Sequence, residues 1–388
     1  MSISNSKPKK PPNANTHPSD PDNSVSAASL SSVEDNSTQN LMQESAKEPA
    51  NTDELSFVHD AVLLQEAVAA VLGVKALPKQ TGSDGQSSDR QNSLNMSGIY
   101  VDATFGRGGH SRLLLSQLAD DATLIVFDKD PTAIRVAQEL ASTDSRVQVI
   151  HDSFATLTDS LAAMGITQVD GLMADLGISS PQIDDGSRGF SFMRDGAVDM
   201  RMDTSRGQSV AEWLETVDDD TLANVLYEFG EERHSRRIAR AIKQMDSYKS
   251  TLELAEVIKV AHPNWQRGKH PATQSFQAMR IFINNELGDV DDFLEQSIPI
   301  LKPGGQLAVI SFHSLEDRRI KQFLQRHSKG QYPEDENLPM PPKRPRYFSK
   351  PKRVGPSKAE TSHNPRARSA WLRMATRTDV DYLVDIEP

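Results

Sequence analysis

Three glycines that follow an apolar segment form the pattern in this sequence best suited to binding a small ligand. Residues 99–105 (IYVDATF) favour a β-strand, and Gly106, Gly108 and Gly109 follow within four residues. A pattern typical of a helix, SRLLLSQL, begins directly afterwards at residue 111. A strand, a glycine-rich turn and a helix let a nucleotide-like ligand lie against bare backbone and a helix N-terminus. The segment therefore predicts a nucleotide-type binding site.

Two acidic residues follow later apolar runs. Asp128 follows the run 122–127 and lies 26 residues after Asp102, about where an acid that binds ribose hydroxyls is expected. Asp175 follows the run 169–174 and opens the segment DLGISSPQ. The glycine turn and the two acids, in this order, favour a ligand that contains a nucleoside.

The spacing of the glycines favours a methyl donor over a dinucleotide. The dinucleotide-binding pattern G-x-G-x-x-G places a third glycine where the helix packs beside a pyrophosphate, and here Ser111 occupies that place. S-adenosylmethionine carries no phosphate and needs room for adenosine and a methionine tail. We therefore expect S-adenosylmethionine as the cofactor, and an NAD(P)-dependent oxidoreductase is the alternative that the residues leave open.

The composition excludes several kinds of chemistry. The 388 residues include no cysteine, so disulfides, cysteine-ligated zinc, iron–sulfur clusters and cysteine nucleophiles are impossible. The ten histidines lack the spacing of metal ligands, and we expect no metal. No apolar run approaches the roughly 18 residues of a membrane-spanning helix, and no segment resembles a signal peptide. We expect a cytoplasmic protein with no membrane contact.

Cationic residues are concentrated in two parts of the chain, although its net charge is −11. Residues 313–377 hold 16 Lys/Arg against 6 Asp/Glu, and the segment 343–353 (KRPRYFSKPKR) places Tyr347 and Phe348 among six cations. This composition suits phosphate contact with base stacking, and a solvated loop is the alternative. A predicted helix at 231–246 places four arginines and Lys243 on one face, which suits phosphate contact, and a solvated charged face is the alternative. The candidate RNA-binding residues are Arg233, Arg236, Arg237, Arg240, Lys343, Arg344 and Arg346.

Alternating predicted strands and helices must position these residues. The alternation over residues 99–174 predicts an α/β fold with a parallel, doubly wound sheet and the ligand at the C-terminal ends of its strands. The next convincing strand, at 306–312, comes far later than a crossover connection requires. The intervening segment is mostly helical, so we predict an inserted helical subdomain that recognises the substrate. Its predicted helices span 209–215, 219–229, 231–246, 251–261 and 272–287.

The predicted organisation follows from these patterns and from polar segments that cannot bury a core. It comprises a disordered N-terminal tail at 1–55, a first part of the core at 56–182 with a disordered loop at 79–97, the inserted subdomain at 183–287, a second part of the core at 288–378 with a basic loop at 330–360, and an acidic C-terminal tail at 379–388.

Six segments together resemble the bacterial RsmH/MraW family over about residues 59–376. They are VDATFGRGGHSRLLL (101–115), DLGISSPQIDDGSRGFSFMRDGAVDMRMD (175–203), GEERHSRRIARAI (230–242), KHPATQSFQAMRIFINNEL (269–287), LKPGGQLAVISFHSLEDR (301–318) and NPRARSAWLR (364–373). The resemblance implies a class I S-adenosylmethionine-dependent methyltransferase fold, a Rossmann-like doubly wound sheet, with a helical insertion. It also implies N4-methylation of a cytidine in the decoding region of 16S rRNA. We expect this rRNA within the small ribosomal subunit as the partner, and naked rRNA is the alternative that the sequence leaves open.

The resemblance assigns donor-binding roles to positions that match the family. They are Gly108, Gly109 and His110 in the glycine turn, Asp128 at the ribose, Phe154 beside the adenine, and Asp175 and Gln182 at the methionine end. Several of these have ordinary structural alternatives, because Phe154 could belong to the core and Gln182 to a plain loop.

Asp175 and the turn formed by Ser179, Ser180 and Pro181 are the predicted catalytic residues. A cytosine amine is a weak nucleophile because its lone pair is delocalised into the ring, and hydrogen-bond acceptors can favour a tetrahedral nitrogen aligned with the methyl group. We expect direct in-line transfer to a base that has left its stack, without a covalent intermediate. The residues also leave open a noncatalytic RNA-binding factor, a methyltransferase for proteins or small molecules, and the oligomeric state.

Overall fold

The computed structural model describes residues 61–78, 93–263, 270–332, 335, 337–340 and 342–382. The predicted tail at 1–55, residues 79–92 of the predicted loop at 79–97 and residues 383–388 of the predicted C-terminal tail lie outside this range. Among the described residues, no helix combines the length and apolarity needed to cross a bilayer.

One seven-stranded sheet organises the described part of the chain. Its strands are β1 (Ile99–Asp102), β2 (Thr123–Asp128), β3 (Val147–His151), β4 (Val169–Asp175), β5 (Leu301–Ser311), β6 (Lys352–Val354) and β7 (Trp371–Thr376). The spatial order is β3-β2-β1-β4-β5-β7-β6. Strands β1 to β5 pair in parallel, and β7 runs antiparallel between β5 and β6. This topology confirms the predicted class I methyltransferase fold, in which the order reverses beside β1 and opens a ligand crevice.

Thirteen α-helices accompany the sheet within the described residues. They are α1 (Leu64–Val71), α2 (Gly109–Leu115), α3 (Pro131–Thr143), α4 (Leu157–Ala163), α5 (Ser180–Asp184), α6 (Val210–Thr216), α7 (Asp219–Gly230), α8 (Ser235–Lys243), α9 (Thr251–Ala261), α10 (Ala272–Ile283), α11 (Glu286–Ile300), α12 (Ser314–Lys329) and α13 (Lys358–His363).

Alternate strand residues enter two hydrophobic cores, one on each face of the sheet. Tyr100 and Leu124 belong to a cluster with residues of α1, α2 and α3. Their neighbours Val101 and Ile125 belong to a second cluster with residues of α4, α11 and α12. Side chains of a strand point alternately to its two faces, so helices must cover both sides, as in doubly wound folds.

Helix α1 lies unusually close to the sheet, beside Gly171 of β4. A Cβ atom at Gly171 would come within 2.7 Å of the carbonyl oxygen of Val71. The backbone N–H of Leu63, directly before α1, donates a 2.7 Å hydrogen bond to Oε1 of Glu360 in α13. The first and last described helices are thus fixed to each other and to the sheet.

Helices α6 to α10 form a hydrophobic cluster of their own, which includes Trp213, Ile238 and Phe276. The predicted helix at 231–246 is wrong in extent, because Glu231 ends α7 with a left-handed backbone (φ 52°) and α8 covers only 235–243. The predicted helix at 272–287 is two helices.

Asn284 and Asn285 separate these two helices. Asn285 has a φ of 52° and precedes α11, and the side-chain amide of Asn284 donates to the carbonyl oxygen of Met200 at 2.7 Å. Asparagine tolerates the left-handed region better than most residues, so this break turns the chain from the helical cluster back to the core.

The predicted basic loop at 330–360 contains regular structure, because β6 and the start of α13 lie within it. Tyr347 is 6% exposed and Phe348 is 1% exposed, and both belong to the core cluster beneath α12. Rings that are buried in this way cannot stack on bases, so the prediction of base stacking by this segment is wrong. Burial of these two rings holds the segment before the edge strand β6 against the core beneath α12.

Candidate active site

The carboxyl ends of β1, β2, β4 and β5 surround a cavity of about 450 Å³, a volume suited to a small organic ligand. Nearly all predicted donor-binding and catalytic residues line it: Gly109, His110, Asp128, Phe154, Asp175, Ser179, Ser180, Pro181 and Gln182. Phe154 contributes one wall and meets the ring of Phe293 edge-on, with centroids 5.5 Å apart.

The glycine turn requires glycine for conformational reasons. Gly106 and Gly108 have φ values of 55° and 77°, in the left-handed region that L side chains disfavour. A Cβ atom at Gly108 would also lie 2.6 Å from the ring of Phe105. Gly108 does not itself line the cavity, whereas the next two residues, Gly109 and His110, do.

Asp128 is fixed at the end of β2 by the turn opposite. Its Oδ2 accepts a hydrogen bond from the backbone N–H of Gly106, and its Oδ1 accepts one from that of Asp130, both at 2.8 Å. Burial raises the pKa of Asp128 to about 6, although these N–H groups favour the charged form. The carboxylate is therefore held rigidly beside the glycine turn, with lone pairs left for ligand hydroxyls.

Asp102, at the end of β1, is completely buried. Its Oδ2 accepts a 2.5 Å hydrogen bond from the hydroxyl of Ser111, and its Oδ1 accepts one from the backbone N–H of Thr104. Burial raises the pKa of Asp102 to about 7. Ser111 occupies the place of the third dinucleotide-pattern glycine, so its hydroxyl supports the strand-end acid there.

Asp175 is half-buried in the cavity wall and has one buried acceptor oxygen without a partner among the described residues. Its backbone N–H donates to the hydroxyl of Thr104 at 2.6 Å, and its Oδ1 is buried without a hydrogen-bond partner among the described residues. Burial, followed by repulsion from Asp102 and Glu316, raises the pKa of Asp175 well above its usual range. An unpaired carboxylate oxygen in a cavity wall costs free energy unless a ligand donates to it, which makes Asp175 a candidate contact for a bound amine.

His110 is a neutral neighbour of Asp175. Its Nε2 lies 3.2 Å from the carbonyl oxygen of Val62, and its Nδ1 lies 3.6 Å from Oδ2 of Asp175. Burial lowers the pKa of His110 to about 4. Since a neutral ring must donate from Nε2 to a carbonyl, Nδ1 presents a lone pair towards Asp175.

Gln182 holds the turn after β4 and does not present a free amide to the cavity. Its Oε1 accepts from the backbone N–H of Ser179, and its Nε2 donates to Oδ2 of Asp130, each at 2.8 Å. The same Oδ2 accepts from Nη1 of Arg188 at 2.9 Å. Asp130 was missed in the sequence analysis, because the pair Asp130-Pro131 indicates only a helix cap.

A second wall of the cavity was also missed. Arg280 donates two hydrogen bonds, of 2.8 and 2.7 Å, to the carboxylate of Glu286. His313 follows β5, and its Nε2 lies 3.0 Å from Oε1 of Glu316. These residues lie in the family-like segments, but only the folded chain brings them beside Asp175.

The second wall also contains the one group of potential metal ligands in the described part of the chain. Glu286, His313 and Glu316 offer atoms within 4.8 Å of one another. Both oxygens of Glu286 bind Arg280, and Oε2 of Glu316 accepts from two backbone N–H groups. With these lone pairs engaged by donors, we do not assign a cation to the group.

The predicted RNA-binding residues divide into exposed and engaged side chains. On and just before α8, Arg233, Arg236, Arg237 and Arg240 are exposed. Lys243 is half-buried, and its Nζ donates to the carbonyl oxygen of Leu214 at 2.6 Å, so its charge is engaged within the protein. The opposite side of α8 buries Ile238 and Ile242.

In the basic segment, Lys343 and Arg346 are exposed. Arg344 donates to both carboxylate oxygens of Asp335 at 3.0 Å and lies over the ring of Tyr332. Its guanidinium is therefore engaged within the protein, and Arg344 is the weakest of the predicted phosphate contacts.

The amino-acid sequence is similar to the sequences of known methylases. A profile of the MraW methylase family matches residues 56–378. The protein named Ribosomal RNA small subunit methyltransferase H in Psychrobacter arcticus is 93% identical over 337 residues, which make up 87% of this chain and 99% of that protein. Proteins of the same name are 71% identical in Psychrobacter sp. (strain PRwf-1), over 88% of this chain and 97% of the relative, and 56% identical in Acinetobacter baylyi, over 72% and 92%.

We predict that Asp102 makes stability depend on pH. Its folded-state pKa of about 7 exceeds the unfolded value of about 4, so the folded state retains a proton that the unfolded state releases, and the free energy of unfolding falls as the pH rises through this window. Asp102→Asn removes this loss. The variant should gain stability over the natural protein by up to about 4 kcal/mol between pH 4 and pH 8.

Urea unfolding at several pH values without donor measures this difference. Asp159→Asn, which removes an exposed carboxylate on α4, is the matched control. A stability difference between Asp102→Asn and the natural protein that stays constant with pH would contradict the assignment.

Proposed function

The chain belongs to the MraW methylase family, and on this basis we propose that it methylates the N4 amine of a cytidine in the decoding region of 16S rRNA, with S-adenosylmethionine as the methyl donor. The single observation that carries the proposal is the buried, unpartnered Oδ1 of Asp175 in the wall of a nucleoside-sized cavity. The names of the relatives support a small-subunit rRNA substrate. The choice of cytidine N4 rests on the family resemblance and on the chemistry of this acceptor.

The residues of the cavity fit a nucleoside-containing cation. Asp128 presents a fixed carboxylate to ribose hydroxyls, and Phe154 provides an apolar surface for a base. Burying an unpaired carboxylate is unfavourable, so Asp175, whose Oδ1 has no partner in the cavity wall, creates a site that a positive group stabilises. When bound, S-adenosylmethionine supplies an electrophilic methyl group on a sulfonium.

Asp175 accepts a hydrogen bond from the amine during transfer. The nitrogen gains positive character as its bond to the methyl carbon forms, so a fixed acceptor stabilises the transition state more than the ground state. Ser179, Ser180 and Pro181 continue the same wall, and the bonds of Gln182 to Ser179 and Asp130 keep this wall in place. The residues position and polarise the amine without forming a covalent intermediate.

The arginines of α8 provide the RNA contacts of this proposal, and Lys343 and Arg346 extend them. Arg236, Arg237 and Arg240 are exposed, and no ion pair joins them to an acid within the described residues. Free guanidinium groups on a rigid helix suit phosphates, whose contacts fix position and supply affinity. We infer that the subdomain at 183–287 recognises the RNA of the small subunit, whose target base must leave its stack to enter the cavity.

The function is tested by incubating the protein with small ribosomal subunits and methyl-labelled S-adenosylmethionine. Mass spectrometry of the digested nucleosides should find N4-methylated cytidine from one position of the decoding region. Label at another base, at carbon 5 of cytosine or on protein would reject the proposal.

Asp128→Ala should weaken S-adenosylmethionine binding by roughly 1–3 kcal/mol, because ribose hydroxyls would lose their acceptor. Calorimetry without RNA measures this affinity, and a thermal melt tests whether the turn through Gly106 has survived. An unchanged affinity would remove Asp128 from the donor site.

Asp175→Ala should lower the rate of methyl transfer by about two orders of magnitude or more, a common effect of losing one preorganised electrostatic group. Single-turnover rates at saturating donor and subunit isolate the chemical step, and Asp159→Ala on α4 is the control. A rate near that of the natural protein would make Asp175 structural and would shift the proposed role to Ser179 or Ser180.

Replacing Arg236 and Arg240 by alanine should weaken subunit binding and reduce its dependence on salt. Each lost phosphate contact lowers the slope of log affinity against log salt by about 0.7–0.9. Arg135→Ala, at an exposed position of α3, is the matched control. If the double variant keeps the natural slope, these arginines do not contact phosphate.

A further inference from the structure

Two arginines that line the cavity are exposed to solvent, and the proposed function leaves them without a role. In the described part of the chain, the cationic side chains that line the cavity are Arg107, Lys129, Arg280 and Arg366. Arg280 and Lys129 form ion pairs with acidic residues of α11, and their side chains are only 12% and 22% exposed. Arg107 and Arg366 are exposed, so they are the cations that a ligand entering from solvent meets.

Two contacts place Arg107 and Arg366 on one side of the cavity. A Cβ atom on Gly109 would lie 3.0 Å from the Cβ atom of Ala61, so the glycine turn packs against the residues before α1. The backbone N–H of Leu63 in turn donates to α13, and the segment that carries Arg366 follows this helix directly. The glycine turn, the start of α1 and this segment therefore form one continuous side of the cavity.

The backbone that carries Arg366 is anchored. Oδ1 of Asn364 accepts from the backbone N–H of Arg366 at 3.0 Å and caps a short 3₁₀ helix, Pro365–Ser369. Ala367 in this helix is fully buried in the core cluster that also contains residues of α1 and α2. A fixed backbone reduces the conformational entropy that is lost when a side chain binds a ligand.

The guanidinium of Arg366 has one partner among the described residues. Its Nη2 donates to Oδ1 of Asp184 at 3.1 Å, and the two side chains are 41% and 43% exposed. Asp184 is the last residue of α5, which begins at Ser180 in the cavity wall. An ion pair this exposed contributes little to stability, so a phosphate can replace Asp184 at small cost.

Arg107 lies between Gly106 and Gly108, and no hydrogen bond or ion pair joins its side chain to another described residue. A nucleotide whose base enters the cavity brings phosphates to these arginines. The base leaves its stack, but its ribose stays joined to the RNA chain through two phosphates. The acids Asp128 and Asp175 in the cavity wall disfavour a phosphate inside. A guanidinium binds phosphate oxygens with two parallel N–H donors, so exposed arginines at the cavity suit this backbone.

We propose that Arg366 and Arg107 bind the phosphates on the two sides of the target cytidine and thereby hold its base in the cavity. When the RNA binds, the guanidinium of Arg366 exchanges the carboxylate of Asp184 for a phosphate. This inference rests on the proposed function, since it needs a nucleotide of an RNA chain in the cavity. Both arginines bind the substrate and take no part in bond formation.

The decisive experiment measures steady-state methyl transfer to small subunits by Arg366→Ala, Arg107→Ala and the natural protein. Loss of one charge-assisted contact should raise the KM for subunits by about 10-fold or more, while kcat should change little because the groups around the amine are intact. Arg366→Lys keeps the charge without the paired donors and should give an intermediate KM.

Arg368→Ala is the matched control. Arg368 is exposed in the same 3₁₀ helix as Arg366 but does not line the cavity, so this variant should keep the natural KM. An equal rise of KM in Arg368→Ala would show a diffuse effect of charge and would overturn the assignment.

Asp184→Asn separates phosphate binding from a structural ion pair. If Arg366 serves only to hold Asp184, this variant should raise the KM as Arg366→Ala does, and the inference fails. If Arg366 binds phosphate, removal of the competing carboxylate should leave the KM unchanged or lower it.

The salt dependence of subunit binding identifies the contact as one to phosphate. Loss of one phosphate contact lowers the slope of log affinity against log salt by about 0.7–0.9, and Arg366→Ala and Arg107→Ala should each show this change. A contact to an uncharged part of the RNA would leave the slope at its natural value and would overturn the assignment.

Donor binding and product analysis distinguish this inference from the proposed function. Calorimetry without RNA should find the natural S-adenosylmethionine affinity in both alanine variants. A weaker affinity in Arg107→Ala would make Arg107 a contact of the donor's carboxylate and would overturn its assignment to phosphate. A natural KM in Arg366→Ala would overturn the role of Arg366 while cytidine methylation by the natural protein persists. Absence of cytidine methylation by the natural protein would overturn both proposals.

Discussion

The carboxylate of Asp130 joins the segments on which the site depends. Its Oδ1 caps α3 through the backbone N–H of Thr132, while its Oδ2 accepts from Gln182 and Arg188. These bonds connect the turn after β2, the turn after β4 and the beginning of the helical insertion. The side chain is 6% exposed, and removing one partner of a buried charged pair leaves the other uncompensated. The carboxylate of Asp130 thus fixes the turn after β2 relative to the turn after β4, and these two turns form opposite sides of the proposed site.

The parallel sheet explains why three acidic side chains lie close together at the site. Neighbouring parallel strands end at the same edge, so Asp102, Asp128 and Asp175 are brought together there. Burial raises the pKa of each of them, a pattern that is common where a protein prepares a site for a charged ligand or for proton transfer. Asp102 and Asp128 are hydrogen-bonded within the protein, whereas Oδ1 of Asp175 has no partner among the described residues.

The sequence predicted the features that depend on neighbouring residues, and it failed where partners are distant in the chain. The strand, glycine turn and helix around Gly108 follow from local conformational preferences, so the fold and the position of this turn at the cavity were predictable. The pairing of Asp130 with Gln182, 52 residues later, leaves no periodic signal. Tyr347 and Phe348 were misassigned because composition alone cannot tell an aromatic pair that stacks on a ligand from one that packs beneath a helix. The predicted helix at 272–287 is divided because Asn285 adopts a left-handed backbone conformation. The residue types around Asn285 do not indicate this conformation.

The contact between the beginning and the end of the described chain has a consequence for synthesis. Leu63 is bonded to Glu360 across 297 positions, and α1 packs on β5, which is made more than two hundred residues after it. At translation rates of about 5–20 residues per second, the first described helix is made roughly 15–60 s before Glu360. The contacts of α1 with α2 and β4 can form earlier, whereas those with β5 and Glu360 cannot form until residues 301–311 and 360 have been made. The folding of this part of the molecule can therefore be completed only after residue 360 has been made.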